Sequence, residues 1–318
     1  MGVIDCLSAG FRYLGWRLEL ILLPVLLDLL LWLGPRFSVQ PLFASFATAY
    51  GQLAQTEGVT PDLALMVEQL AGSIREAGQG SNLLNGLVSS SLLHVPSLPL
   101  AGGVSMDRVF EIGTMGEALV WWLLFGLLGL LIGVVYLTLL ARRLPIGGMA
   151  GAKPPQVAVA VLRHWLQVTG FVLLVAVVLL LIYLPISLLV GLVVMLSPAF
   201  GSALAAMAGA ITLLVFFYLY FVVAALVMDN TPLPAAILRS LRLVRDNFWP
   251  TPGFILLSNV ISLGIALLLV QLANLAPWAG LAAIALNAYI GTGLSMAFLV
   301  FYRSRVIKSV EMTPARDL

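Results

Sequence analysis

The scarcity of charge constrains this chain more than any motif in it. Between Trp16 and Tyr302 it is a succession of long apolar runs, and only 9% of its residues are Asp, Glu, Lys or Arg. An ordinary soluble domain carries about 25%. So few charges cannot solvate the surface of a 34.0 kDa globule, so lipid has to cover much of it. Mean hydropathy is +1.08, and the expected class is an all-α polytopic membrane protein. A net charge of +2 gives no reason to expect a nucleic-acid partner, and the single cysteine, Cys6, rules out an intrachain disulfide.

Six spans are expected, at about residues 16–34, 117–140, 168–196, 203–228, 253–275 and 279–302. Trp16 and Trp32 stand near the ends of the first as interface anchors, and Asp28 interrupts it. A cleaved signal peptide is disfavoured there, because the apolar run is long and the nearest A-x-A, at 47–49, lies far downstream. Pro185 is expected to kink the third span or free a carbonyl. Gly129 and Gly133 form a GxxxG in the second, spaced to admit a neighbouring helix. The chain divides into 1–34 (entry helix and first span), 35–115 (a hydrophilic, extracytoplasmic helical insertion) and 116–318 (a five-span bundle with a cytoplasmic tail).

Within the insertion, Thr60-Pro61-Asp62 reads as a helix start. Leu63, Met66, Leu70 and Ile74 then make one apolar stripe, and Gly78 stops a helix over 61–77. Residues 38–55 and 82–93 suggest two more helices, and 94–104 a loop. These helices carry too little apolar area for a core of their own, so they are expected to lie on the membrane surface or on the bundle.

Charge sets the expected orientation. Thirteen Lys and Arg fall on one side of the spans and three on the other, the three dispersed through the long insertion. The positive-inside rule then puts both termini in the cytoplasm of an inner, or plasma, membrane.

The segment PLPAAILRSLRLVRDNFWPTPGF, residues 232–254, is a basic amphipathic stretch running straight into an apolar span. Weaker versions precede the third span (154–171) and the first (1–15). In the first, Asp5, Ser8 and Arg12 share one helix face, and Ile4, Leu7 and Phe11 another. Three units, about 1–141, 154–228 and 232–302, therefore read as three helical hairpins, each preceded by an amphipathic interfacial helix. Arg12, Arg163, Arg239, Arg242 and Arg245 are the candidate inner-leaflet contacts.

The run Leu238, Arg239, Ser240, Leu241, Val244, Asn247, Phe248 and Trp249 before an apolar span resembles the membrane domain attached to some bacterial glycerophosphoryl diester phosphodiesterases, and related uncharacterised multi-pass proteins. The likeness covers about residues 154–302. It implies a fold and no activity, because the acids and histidines of a phosphodiesterase domain are lacking.

Chemistry-bearing residues are sparse. Asp28 is the one carboxylate well inside a span, and its depth matches that of Asn287 in the sixth, so Asp28 is expected to bond Asn287 or a neighbouring hydroxyl. Asn287 lies on a ridge of small residues, with Ala279, Ala283, Gly291 and Ser295, expected to be packed. His94 and His164 read as isolated and peripheral, His164 beside lipid headgroups. No catalytic, cofactor or metal constellation is visible, and no broken helix pair. The expected function is a membrane-organising or accessory protein contacting lipids and partner proteins, or further copies of itself. A transporter or channel with Asp28 as its buried polar site is the alternative, and a lipid-acting enzyme a third.

Overall fold

In the computed structural model, residues 2–53, 61–88, 93–98, 100, 108–144 and 154–311 are described. The bundle is built round its last helix, α11 (Pro277–Glu311). The ridge of small residues strips bulk from one face of α11, so neighbours come close to its backbone. Below the ridge Phe298, Phe301 and Tyr302 are buried and fill the space between elements. The segment after the sixth expected span continues this helix as far as Glu311.

The first helix, α1 (Val3–Leu14), lies antiparallel on the C-terminal half of α11. Gly10 faces the backbone of Ala297, Phe11 lies over Gly293, and Cys6 Sγ is 3.7 Å from Ser304 Oγ. Asp5, Ser8 and Arg12 do share an exposed face. Ile4, expected on the apolar side, is exposed, because the contact runs through Cys6, Leu7, Gly10 and Leu14 instead. The chain then turns at Gly15, whose φ of +50° suits glycine. It passes through a 3₁₀ turn, Leu18–Leu20, into α2 (Leu22–Leu33), which packs on α11 with Trp32 against Gly280. The first span is thus not one helix. At 12 residues α2 is ~18 Å long, short of a hydrocarbon core of about 30 Å.

Next comes α5 (Met115–Arg143), after the insertion whose helices are numbered below. Thr114 caps it by accepting from the Glu117 N–H, and its acid stands at the first turn and Arg142 and Arg143 at the last, matching the helix dipole. The expected second entry helix and the third span that follows it are a single helix, α6 (Pro154–Leu196), which continues through Pro185. Its partner α7 (Pro198–Leu219) is held by Gly201 against Val194 and by the Tyr183 hydroxyl on Thr212.

The fourth span breaks at Tyr220–Phe221. Ser240 accounts for the break: its Oγ accepts from the Phe221 N–H (3.1 Å) and donates to the Tyr218 carbonyl (2.7 Å). Beyond it α8 (Val222–Asp229) is buried from Val222 to Met228, which its wholly apolar sequence over those residues permits. Ser240 belongs to α9 (Leu233–Asp246), which folds back along α8 and buries Ala236, Ser240, Leu243 and Val244. The last pair is α10 (Pro250–Ala273) on α11, with Phe254 stacked on Phe301 at 4.5 Å.

The insertion closes on itself through two short parallel strands, β1 (Arg36–Ser38) and β2 (Val109–Glu111), with Arg36 opposite Val109. Between them α3 (Gln40–Leu53) and α4 (Pro61–Gln79) pack on each other, Gly78 against Phe43. The stripe Met66 and Leu70 faces outward, and Ala71 and Gly78 make the buried side. Thr60, the expected cap, lies outside the described residues.

Among the described residues five helical stretches are long and apolar enough to cross a bilayer: α5, α6, the α7–α8 pair, α10 and α11. The chain is a multi-pass α-helical membrane protein. Much of α6, α7 and α10 presents leucine and valine outward, at Leu180, Leu188, Leu213, Leu256 and Leu267 among others.

Candidate functional site: a re-entrant segment inside the bundle

The insertion does not stay on the surface of the bundle. After α4 it forms a 3₁₀ turn, Leu83–Leu87, capped by Asn82, where a longer helix over 82–93 was expected. Gly86 and Leu87 lie against α5 at Gly129, and Leu93 lies against Gly133. The GxxxG of α5 therefore receives this descending backbone and not a helix. Residues 89–92 lie outside the described residues.

At His94 the chain reverses, with a left-handed φ of +52°. It then climbs α11 in order. The His94 carbonyl accepts from Ser295 Oγ, Pro96 covers Gly291, Leu98 packs with Ala283 and Leu269, and Leu100 reaches Gly280. The small ridge of α11 is packed, as expected of it, and the climbing limb is what packs there. Non-helical backbone at this depth is tolerated only where protein satisfies its polar groups. Asp28 supplies that satisfaction.

Asp28 is 2% exposed. Its Oδ1 accepts from Ser97 Oγ at 2.6 Å and its Oδ2 from the Leu98 N–H at 3.0 Å. The expected pair with Asn287 is not made: both carboxylate oxygens are taken by the climbing limb, and Asn287 Nδ2 has no hydrogen-bond partner among the described residues. The hydroxyl that Asp28 finds belongs to Ser97 of the climbing limb.

The tip is equally well held. His94 Nε2 is 3.2 Å from the Tyr220 hydroxyl, and its ring stacks on Phe298 at 4.1 Å. Tyr220 is the residue at which α7 breaks, so the loop tip meets the helix break. Nearby the Tyr136 hydroxyl donates to Thr292 Oγ1 at 3.1 Å. His94 is thus half-buried and held by Tyr220 and Phe298, not peripheral. Two of the spans expected to be unbroken are interrupted: residues 16–34 form a 3₁₀ turn and the short α2, and residues 203–228 divide into α7 and α8.

A second polar cluster ties the termini-bearing end together. Asp229, at the end of α8, accepts from Arg239 Nη1, from the Tyr302 hydroxyl and from Arg303 Nη1, the last at 3.2 Å. Arg239, expected to contact lipid, is therefore paired within the protein, because the α8–α9 turn brings it onto Asp229. Arg12, Arg163, Arg242 and Arg245 are exposed, Arg245 with Asp246 at 3.5 Å. His164 is fully buried with Nε2 3.2 Å from Asn230 Oδ1, so it bonds the chain rather than a headgroup.

No group of three or more His, Cys, Asp or Glu stands together as a metal site among the described residues. No family model matches the chain, and no curated protein or solved structure does either.

Proposed function

We propose that this chain is a non-enzymatic multi-pass membrane protein that organises lipid and partner proteins around a rigid helical core. One observation carries this reading. The single deeply buried carboxylate of the first span, Asp28, has both oxygens committed to holding the protein's own loop. What remains for others is the apolar outer surface of α6, α7 and α10 and the exposed arginines Arg12, Arg163, Arg242 and Arg245. The fold is proposed to be akin to the membrane domain of glycerophosphoryl diester phosphodiesterases. The sixth crossing is proposed to be α1 and α2 together, which flank α11 from Ser304 to Gly280, ~36 Å at about 1.5 Å per residue. Both termini are proposed to face the cytoplasm of an inner membrane, on the charge bias. Extraction in native lipid and identification of co-purifying proteins tests the reading; recovery of the chain with no reproducible protein or lipid company counts against it.

A transporter or channel is the second reading. The meeting of the loop tip at His94 with the helix break at Tyr220 favours it, since discontinuous helices and re-entrant loops line ion and substrate paths. Ion or proton flux in proteoliposomes, lost in Asp28→Asn at unchanged thermal stability, would replace the first reading by this one.

A further inference from the structure

α5 and α6 separate along the C-terminal half of α5 and leave a groove of about 470 Å³. Leu131 and Val135 of α5 and Val157, Ala158, Val161 and Leu162 of α6 line it, together with Arg142. Six aliphatic side chains and one guanidinium describe a guest with an apolar body and an anionic end. The dimensions narrow the choice. From Leu131 to Arg142 the groove follows α5 for ~16 Å at about 1.5 Å per residue, half of a hydrocarbon core of about 30 Å, which is one leaflet. At the other end Trp165 Nε1 donates to the Leu127 carbonyl at 3.1 Å and bridges the two helices. Arg142 is one of the residues that line the groove, and the neighbouring Arg143 lies 3.5 Å from Glu19. A guanidinium matches the oxygens of a phosphate in a two-point geometry that an uncharged tail cannot offer it.

We infer that this groove binds one anionic phospholipid, a tail between α5 and α6 and the phosphate on Arg142. The inference rests on the lipid-contacting reading above and gives that reading a site.

Trp165 is a built-in reporter. Wild type and Trp165→Phe are reconstituted into phosphatidylcholine vesicles containing either tail-brominated phosphatidylglycerol or tail-brominated phosphatidylcholine, and the difference between the two proteins isolates Trp165 from the rest of the 7 tryptophans. Brominated phosphatidylglycerol is expected to quench Trp165 at about fivefold lower mole fraction than brominated phosphatidylcholine, the effect of one arginine at an anionic leaflet. Arg142→Gln is expected to abolish the preference and Arg142→Lys to keep part of it. Ala158→Phe fills the groove and is expected to weaken quenching by both lipids. Equal quenching by the two lipids in the wild type, or a preference that survives Arg142→Gln, overturns the proposal. Thermal melts check each variant. Where Arg142→Gln does not fold, Ala158→Phe decides, and unchanged quenching in it overturns the proposal. Such a failure is distinct from failure of the wider reading, which shows in co-purification and flux.

Discussion

His94 Nε2 and the Tyr220 hydroxyl lie 3.2 Å apart although 126 positions separate them in the chain. One belongs to the tip of a loop that descends into the bundle, the other to the point where α7 stops. Tyr220→Phe removes the hydroxyl and keeps the ring, so a loss of about 1 kcal/mol is expected. His94→Asn tolerates the left-handed backbone but loses the stack on Phe298 as well, about 1–3 kcal/mol. His94→Ile adds a β-branched residue at φ +52° and should be the worst of the three. Thermal melts in one detergent rank them; His94→Ile as stable as His94→Asn would contradict the left-handed tip.

Asp28 separates anchoring from transport by a pair of substitutions. In Asp28→Asn the amide oxygen can keep the Leu98 N–H, and the amide nitrogen can donate to the Ser97 hydroxyl, which accepts as readily as it donates. Little stability should be lost. Asp28→Leu strands the Leu98 N–H in an apolar interior and should cost about 1–3 kcal/mol. A loss in Asp28→Asn as large as in Asp28→Leu would mean that the charge itself is required.

Gly126 and Gly129 lie one turn apart on α5 and should respond oppositely to alanine. A Cβ on Gly129 would stand 2.7 Å from the carbonyl oxygens of Gly86 and Leu87, which are backbone and cannot swing away. Gly129→Ala should destabilise by about 1–3 kcal/mol. Among the described residues nothing lies within 4 Å of a Cβ on Gly126, so Gly126→Ala should be neutral or gain up to about 1 kcal/mol of helix propensity. If the descending limb did not lie here, the two melting temperatures would move together.

Asp229 draws two arginines and a tyrosine onto one carboxylate. Asp229→Ala leaves Arg239 and Arg303 facing each other. Their side chains are 41% and 31% exposed, so water screens the repulsion and a loss of about 1–2 kcal/mol is expected. Limited proteolysis should then cut the α8–α9 turn faster than in the wild type. Unchanged cleavage would remove this cluster from any role in fixing that turn.

Cys6 is fully buried against α11, where packing shields its thiol from reagents. Alkylation should therefore be much slower in the folded protein than that of a free thiol. Unfolding should abolish the difference. Rapid labelling at pH 7 would show that α1 is not docked on α11.

The residues that betrayed themselves in the sequence did so through local pattern. The proline start of α4, the acid and base at opposite ends of α5, and the small ridge of α11 each follow from neighbours within a few turns. The faces of α1 and α4 were harder. Their buried sides carry Gly10, Ala71 and Gly78, small residues that an apolar stripe does not register, while larger apolar residues such as Ile4 and Met66 face outward. The break in α7–α8 was equally hidden, since residues 203–228 are uniformly apolar and the residue that satisfies the break, Ser240, comes from α9.

By itself the sequence determined the solvent: with so little charge, backbone groups in lipid must be paired within helices, and the long apolar runs fold accordingly. It also placed basic residues beside the helix ends and marked Asp28 as a group that needs partners. Only the tertiary structure decided who those partners are. Ser97 and Leu98 stand 69 and 70 positions from Asp28, in a stretch whose prolines read as an ordinary loop. The stretch enters the bundle because glycines on α5 and α11 leave room for backbone where side chains would stand. A buried carboxylate then offers the two hydrogen-bond acceptors that such a backbone needs, a fit between distant segments that no local periodicity encodes.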